Sequence, residues 1–312
     1  MEKSLIYGPV ASRRLGFSLG IDAVPYKICS FDCIYCQIGR TFETTLERRD
    51  FGLSGRILET LDRRLKAGVK ADHITLGGSG EPTLNIELGT IIRGIKRMTD
   101  IPVAVLTNAS LLGDATVQED LRAADIVLPS LDAADEETFV RINRPHPDIS
   151  FNGIVEGLIS FSRSFKGQIR LEIFFIHNMN TSDTQILKFR ELVEKIGPDQ
   201  VHLNTAVRPP AESFATAVDR DFLASAAARI GDNAEVIADF RKTPGSPTEN
   251  DLLEDELMGM LSRRPCTMQD IMNGLGAGEM RVAQLLDRLI SQGRVTTRTA
   301  GPQTYYQSLT AS

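Results

Sequence analysis

The chain has 312 residues, 42% hydrophobic and 24% charged, and its 35 Lys and Arg against 41 Asp and Glu give a net charge of −6. Such a composition allows a sizeable core with about two domains as the prior, and the acidic balance excludes a protein held to nucleic acid by bulk charge. No run of 18 apolar residues occurs and the first residues lack a signal-peptide core, so a cytoplasmic protein with reduced thiols is expected.

Residues 1–50 read as irregular and rich in Gly and Arg, with a first strand near Leu19–Val24. Ser54 stands where it can cap a helix that carries Ile57, Leu58, Leu61 and Leu65 on one face and ends at Gly68. A strand at His73–Leu76 leads into the Gly-rich turn Gly77–Pro82, and Leu88, Ile91, Ile92, Ile95 and Met98 mark the next helix. Strands at Val103–Leu106 and Ile126–Leu128 flank a helix over 114–124. Helices over 151–165 and 183–196 lead to strands at Ile169–Ile176 and Val201–Leu203. Apolar strands alternating with helices predict an α/β fold, a partial (β/α)6 TIM-like barrel with a parallel sheet covered on both faces. Ser79, Glu81, Thr107, Asn108, Ser130, Asp132, His177 and Asn204 fall just past the strand ends, on the face that holds the site in such folds.

A helix near 219–230 and a strand at Glu235–Phe240 precede a Pro-, Gly- and Ser-containing linker, Thr243–Thr248. Beyond it the apolar spacing marks three helices and two strands around Ala300-Gly301-Pro302, the arrangement of a winged helix. Residues 250–312 carry six Lys or Arg and seven Asp or Glu, which favours protein docking over DNA reading. The chain therefore divides into a barrel over 1–242 and a linker with a winged-helix-like domain over 243–312. A cut at Pro244 is expected to leave the barrel folded.

Four cysteines occur, and three lie within eight residues: Cys29, Cys33 and Cys36, spaced C-x₃-C-x₂-C. Clustered thiols in a reducing compartment point to metal or redox chemistry. A structural zinc site normally draws four ligands from paired groups, and no second pair exists here. Three thiolates on a four-iron cluster leave one iron open to a further ligand.

With Tyr35 just before the third cysteine, the motif resembles that of the radical S-adenosylmethionine (SAM) superfamily. The resemblance implies that Cys29, Cys33 and Cys36 ligate a [4Fe–4S] cluster, and that SAM on the open iron is split to a 5′-deoxyadenosyl radical. Gly77-Gly78-Ser79-Gly80-Glu81-Pro82 is similar to that superfamily's Gly-Gly-Glu-Pro segment. By the same resemblance Tyr35, Gly78, Gly80, Glu81, Asn108, Ser130 and Asp132 are the expected SAM contacts. A low-potential electron donor, flavodoxin or ferredoxin-like, is the implied partner. The segments Gly8–Gly16, Cys36–Thr41, Leu128–Ala133, Arg141–His146 and Asn204–Pro210 resemble a radical SAM family grouped with the wyosine-type tRNA-modifying synthetases. Those enzymes use a second cluster. Here only Cys266 remains, which sets wyosine synthesis proper aside and leaves tRNA or a phosphorylated metabolite as the substrate classes. Arg13, Arg14, Arg40, Arg48, Arg49, Arg141, Arg144 and Arg208 suit phosphate or carboxylate, or else pair with nearby acids. A competing class is an iron–sulfur redox sensor acting as a winged-helix transcriptional regulator.

Overall fold

The chain opens with a strand that the apolar pattern conceals. A computed structural model, which describes residues 5–12, 14–237, 250–275 and 277–309, places β1 at Ile6–Ser12, antiparallel to β2 at Gly16–Ile21. Gly8 and Pro9 interrupt its periodicity, and the register shifts between Tyr7 and Val10. An edge strand tolerates both, because Pro there withdraws no donor that a second neighbour needs.

Two-residue strands β3 (Ile28–Cys29) and β4 (Glu43–Thr44) follow, then α1 (Ser54–Lys66), β5 (His73–Leu76), a 3₁₀ turn at Pro82–Leu84, α2 (Leu88–Met98), β6 (Val103–Thr107), α3 (Ala115–Leu121) and β7 (Ile126–Pro129). After them come α4 (Glu136–Asn143), α5 (Phe151–Ser164), β8 (Gln168–Phe175), α6 (Asp183–Ile196), β9 (Gln200–Thr205), α7 (Arg220–Ile230) and β10 (Ala234–Val236). The sheet order is β1-β2-β5-β6-β7-β8-β9-β10, and every pair but the first is parallel. This is an α/β fold with a mostly parallel central sheet. Its seventh parallel strand, β10, lies at the start of the strand expected at Glu235–Phe240, one beyond the six (β/α) units. Of the strand expected at Glu235–Phe240 only the start is described, and the linker Thr243–Thr248 lies outside the described residues, as does Arg13.

Local chemistry sets the helix ends. Side chains of Asp114, Asp135, Ser150, Ser182 and Asp219 accept backbone N–H bonds at the starts of α3 to α7. Ser54 does not: it is the first helical residue of α1, and Leu53 at the cap position makes no side-chain bond. Gly197 ends α6 in the left-handed conformation, φ 64°, that glycine adopts without strain.

Residues beyond 249 form α8 (Asn250–Leu261), β11 (Cys266–Thr267), α9 (Met268–Leu275), α10 (Glu279–Ser291) and the hairpin β12 (Val295–Ala300) and β13 (Gln303–Ser308), with sheet order β11-β13-β12. Their own core, including Leu257, Ile271, Leu286 and Leu289, takes in Val10 of β1 and packs against Tyr7. The Arg263 guanidinium donates to Asp22 Oδ2 from Nε at 3.0 Å and from a terminal nitrogen at 2.8 Å, and lies 3.9 Å from the Tyr7 ring centroid. This seam, buried at both charges, argues against an indifferent cut at Pro244.

Candidate active site

The cysteine loop leaves the C-terminal end of β2 and is pinned on three sides. Ile28 and Cys29 pair with Glu43 and Thr44, which closes the loop at its base. The Gly-rich turn after β5 holds it from the second side: Lys27 N donates to Ser79 O at 2.6 Å and Glu81 N to Ile28 O at 3.1 Å. A side chain at Gly80 would place Cβ 2.0 Å from Ile28 O, so only glycine lets these two segments adjoin. On the third side Asp32 N and Ile34 N donate to backbone carbonyls of the Ile142–Arg144 segment, and His146 N donates to Ser30 O. His146 is thus part of a rigid wall of the loop.

Each thiol has a side-chain nitrogen donor, and Cys29 also accepts from the Phe31 backbone N–H. Asn108 Nδ2 lies 3.5 Å from Cys29 Sγ, Asn143 Nδ2 lies 3.4 Å from Cys33 Sγ, and Lys27 Nζ lies 3.3 Å from Cys36 Sγ. Burial, with Glu81 adding to it, pushes the Cys29 thiol up to about 12, and burial and then Asp132 push Cys33 well above its usual value. Bare thiols of this kind stay protonated at neutral pH and are poor nucleophiles, whereas a bound metal displaces the proton. Among the described residues no three His, Cys, Asp or Glu side chains converge as ligands of one ion. A tetrahedral zinc site needs that convergence; thiolates on separate irons of a cluster do not. The soft donor set, with N–H groups on the sulfurs, fits an iron–sulfur cluster held by three residues.

The expected SAM contacts fall into two groups. Glu81 is buried and fully engaged: Oε1 accepts from Thr83 N at 3.1 Å, Thr83 Oγ1 at 2.6 Å and Thr107 Oγ1 at 2.7 Å, and Oε2 accepts from Asn108 N at 2.7 Å. It ties the Gly-rich turn to the end of β6. Asp132 is also internal, accepting from Tyr35 Oη, from Asn143 Nδ2 at 2.9 Å and from Phe174 N at 3.0 Å. Burial pushes its carboxyl up to about 6 against those hydrogen bonds. These two carboxylates act as braces. Gly78, at φ 114°, and Tyr35 line a chamber where a ligand can rest, while Ser130, half-buried at the end of β7, donates its backbone N–H to Thr107 O. Tyr35 stacks on Phe174, ring centroids 4.1 Å apart.

A chamber of about 290 Å³ runs from Tyr35, Cys36 and Gln37 down between the strands to Ser18, Thr75 and Glu172, and is closed on one side by Met260, Arg263 and Arg264. Arg14 pairs with Glu172 at 2.5 Å and Arg208 with Asp270 at 3.1 Å. Arg40 and Arg144 share Glu212, Arg48 faces Asp120, Arg49 faces Glu43 and Arg141 approaches Glu137 at 4.0 Å. Most arginines that sequence alone offered to phosphate are therefore neutralised within the chain. Lys27, Asn143 and Glu172 escaped the sequence reading, since nothing local marks a residue that meets a partner 9, 110 or 158 positions away. Cys266 is fully buried in the C-terminal core.

Residues 23–190 match the sequence profile of the Radical SAM superfamily. The chain is 38% identical over 297 residues to the GTPase Obg of Brachyspira hyodysenteriae, covering 95% of this chain and 44% of that protein's length. It is 30% identical over 307 residues to a UPF0026 protein of Helicobacter pylori strain J99, covering 97% of each. The crystal structure of a radical SAM methyltransferase from Sphaerobacter thermophilus superposes with a TM-score of 0.51 at 16% identity, covering 70% of this chain and 66% of that one. That last likeness is one of fold.

Proposed function

The chain belongs to the radical SAM superfamily, alongside the UPF0026 proteins, and on that premise we propose that it cleaves SAM reductively at a single [4Fe–4S] cluster held by Cys29, Cys33 and Cys36. Enzymes of the superfamily use that cluster and SAM, which when bound supply a one-electron cleavage ending in hydrogen abstraction from a substrate. The observation that carries the reading is the cysteine loop itself: three thiols, three side-chain N–H donors, and a glycine turn that abuts it at Gly80.

The chain's own residues do the positioning. Lys27, Asn108 and Asn143 direct N–H groups at the sulfurs and so favour the thiolate charge and the reduced state. Gly78 offers a backbone that a SAM ammonium group can approach closely. Tyr35 and Ser130 face the ligand, while Glu81 and Asp132 hold the turn and the cysteine loop in register. A flavodoxin or ferredoxin-like protein is the proposed reductant. Residues 243–312 form, on this reading, a linker and a winged-helix-like domain docked on the barrel of residues 1–242; the order α8, β11, α9, α10, β12, β13 supports it.

Anaerobic reconstitution, iron analysis and incubation with dithionite and SAM test the proposal. About four irons per chain and formation of 5′-deoxyadenosine and methionine are expected; Cys33→Ala loses both. About eight irons, or an iron-loaded protein that leaves SAM intact while binding DNA specifically, would overturn it.

A further inference from the structure

The chamber beneath the cysteine loop is unevenly charged. Three of its guanidiniums face carboxylates: Arg14 with Glu172, Arg208 with Asp270, and Arg263 with Asp22. The fourth, Arg264, forms no ion pair within 4 Å among the described residues, and at longer range it shares Asp270 with Arg208. Arg208 is 6% exposed at its side chain, and its Nε has no hydrogen-bond acceptor although its terminal nitrogens reach Asp270 and, at 3.5 Å, Gln37 Oε1. A buried guanidinium donor without an acceptor is costly unless a ligand completes it. The nearness of Arg264 adds to burial in lowering the Arg208 pKa, so the two cations repel across the space they line. Asp270 offsets the pair only in part, since it leaves Arg208 Nε without an acceptor, and a ligand anion beside both would relieve the rest.

The two arginines come from different parts of the fold. Arg208 follows β9, and Arg264 follows α8 in the C-terminal unit. That unit also fixes Arg208 through Asp270, whose Oδ2 is held by Thr267 N and Oγ1, both at 3.0 Å, and through Tyr305 Oη, which donates to Val207 O. Leu15, Leu106, Phe174 and Met260 supply apolar stretches of the wall, beside the polar Ser18, Thr75 and Asn204. The space is about 290 Å³.

We propose that the chamber takes a small substrate bearing one anionic group, a carboxylate or a phosphate monoester, seated between Arg208 and Arg264, so that the C-terminal unit completes the substrate site. The inference rests on the SAM-cleaving reading for the word substrate alone. Arg208 supplies Nε–H and Arg264 a charge with no ion pair of its own, while Leu15, Leu106, Phe174 and Met260 hold the carbon skeleton below Tyr35 and Cys36.

The test is binding to the reconstituted full chain at constant ionic strength, with inorganic phosphate and acetate as separate probes against chloride, read by thermal shift and equilibrium dialysis. One of the two probes should saturate in the millimolar range usual for fragments of a few atoms, and Arg264→Gln should weaken it about tenfold. Arg264→Lys should recover part of the loss, and Arg122→Gln, on an exposed helix surface, should change nothing. Circular dichroism of each variant checks folding. Which probe saturates tells carboxylate from phosphate. If neither exceeds chloride, or if Arg122→Gln weakens binding as much as Arg264→Gln, the proposal is wrong. It is also wrong if Arg264→Gln weakens SAM in the same dialysis as much as the probe, because the arginines would then serve SAM's own carboxylate. A chain that binds the probe as expected yet never cleaves SAM would retain the anion site and refute the enzymatic reading alone.

Discussion

Replacing Arg263 by Met tests the seam between the sheet and the C-terminal unit. The guanidinium is 4% exposed and Asp22 is 6% exposed at the side chain, and the two share two hydrogen bonds, at 3.0 and 2.8 Å. A third donor of Arg263 reaches Gly259 O at 2.6 Å, and its face covers the Tyr7 ring. Breaking a buried pair from one side costs about 3–5 kcal/mol, much of it from the carboxylate left in a dry site. Met retains part of the contact with Tyr7, so the cation–π share, about 2 kcal/mol when desolvated, is lost only in part. A fall in melting temperature on the order of 10 °C follows for a chain of this size. Asp22→Asn should cost less, since the amide still accepts from Arg263. The double variant should be more stable than the sum of the two single losses by at least about 1.5 kcal/mol, a coupling expected only of residues in contact. Far-UV circular dichroism in urea and on heating provides the readout, as the chain has no tryptophan. Additivity within about 0.5 kcal/mol would refute the reasoning and leave the ion pair without a role in joining the two units.

Gly80→Ala puts a methyl carbon 2.0 Å from Ile28 O, a backbone atom one residue before Cys29, so the iron content after reconstitution should fall by more than half while the fold persists. His202 is buried, and desolvation, then Arg14, push it down to about 4, against the pull of Glu235. The unfolded chain takes up a proton near 6.5 and the folded chain not until about 4, so its contribution to stability is complete above pH 6.5 and is lost as pH falls towards 4; it amounts to about 3 kcal/mol. Urea titrations at pH 7 and pH 4.5 should show that difference shrink in His202→Gln, and an unchanged pH dependence would contradict it. Cys266→Ser places a hydroxyl in an apolar core next to Arg264 O, and should cost about 1–2 kcal/mol while leaving iron content unchanged; loss of iron as complete as in Cys33→Ala would make it a fourth ligand.

The site was legible in the sequence where its chemistry is local. Cys29, Cys33 and Cys36 sit in one loop, and Gly77–Pro82 follows β5 directly, so spacing alone brings both into view. The strands after residue 70 were legible because buried parallel strands are continuous apolar runs. β1 was not, because an edge strand with Gly8, Pro9 and a register shift lacks that pattern. Nor were the roles of Glu81 and Asp132: a carboxylate at a strand end looks the same in sequence whether it faces a ligand or is spent on Thr107 and Asn108, or on Tyr35 and Asn143. The pairing of Arg208 with Asp270 joins positions 62 apart across two units, and no periodicity encodes it.

β1 also bears on how the chain behaves in a crowded solution. Its outer side is a sheet margin, the kind of surface on which another molecule can add a strand. Here α8 and α9 pack against that strand, with Val10 drawn into their core, while the opposite margin is β10, three residues long among the described residues. The C-terminal helices thus guard the long margin of the sheet as well as walling the chamber. Variants that loosen them should favour self-association before any loss of secondary structure is visible, rising with concentration and detectable by light scattering.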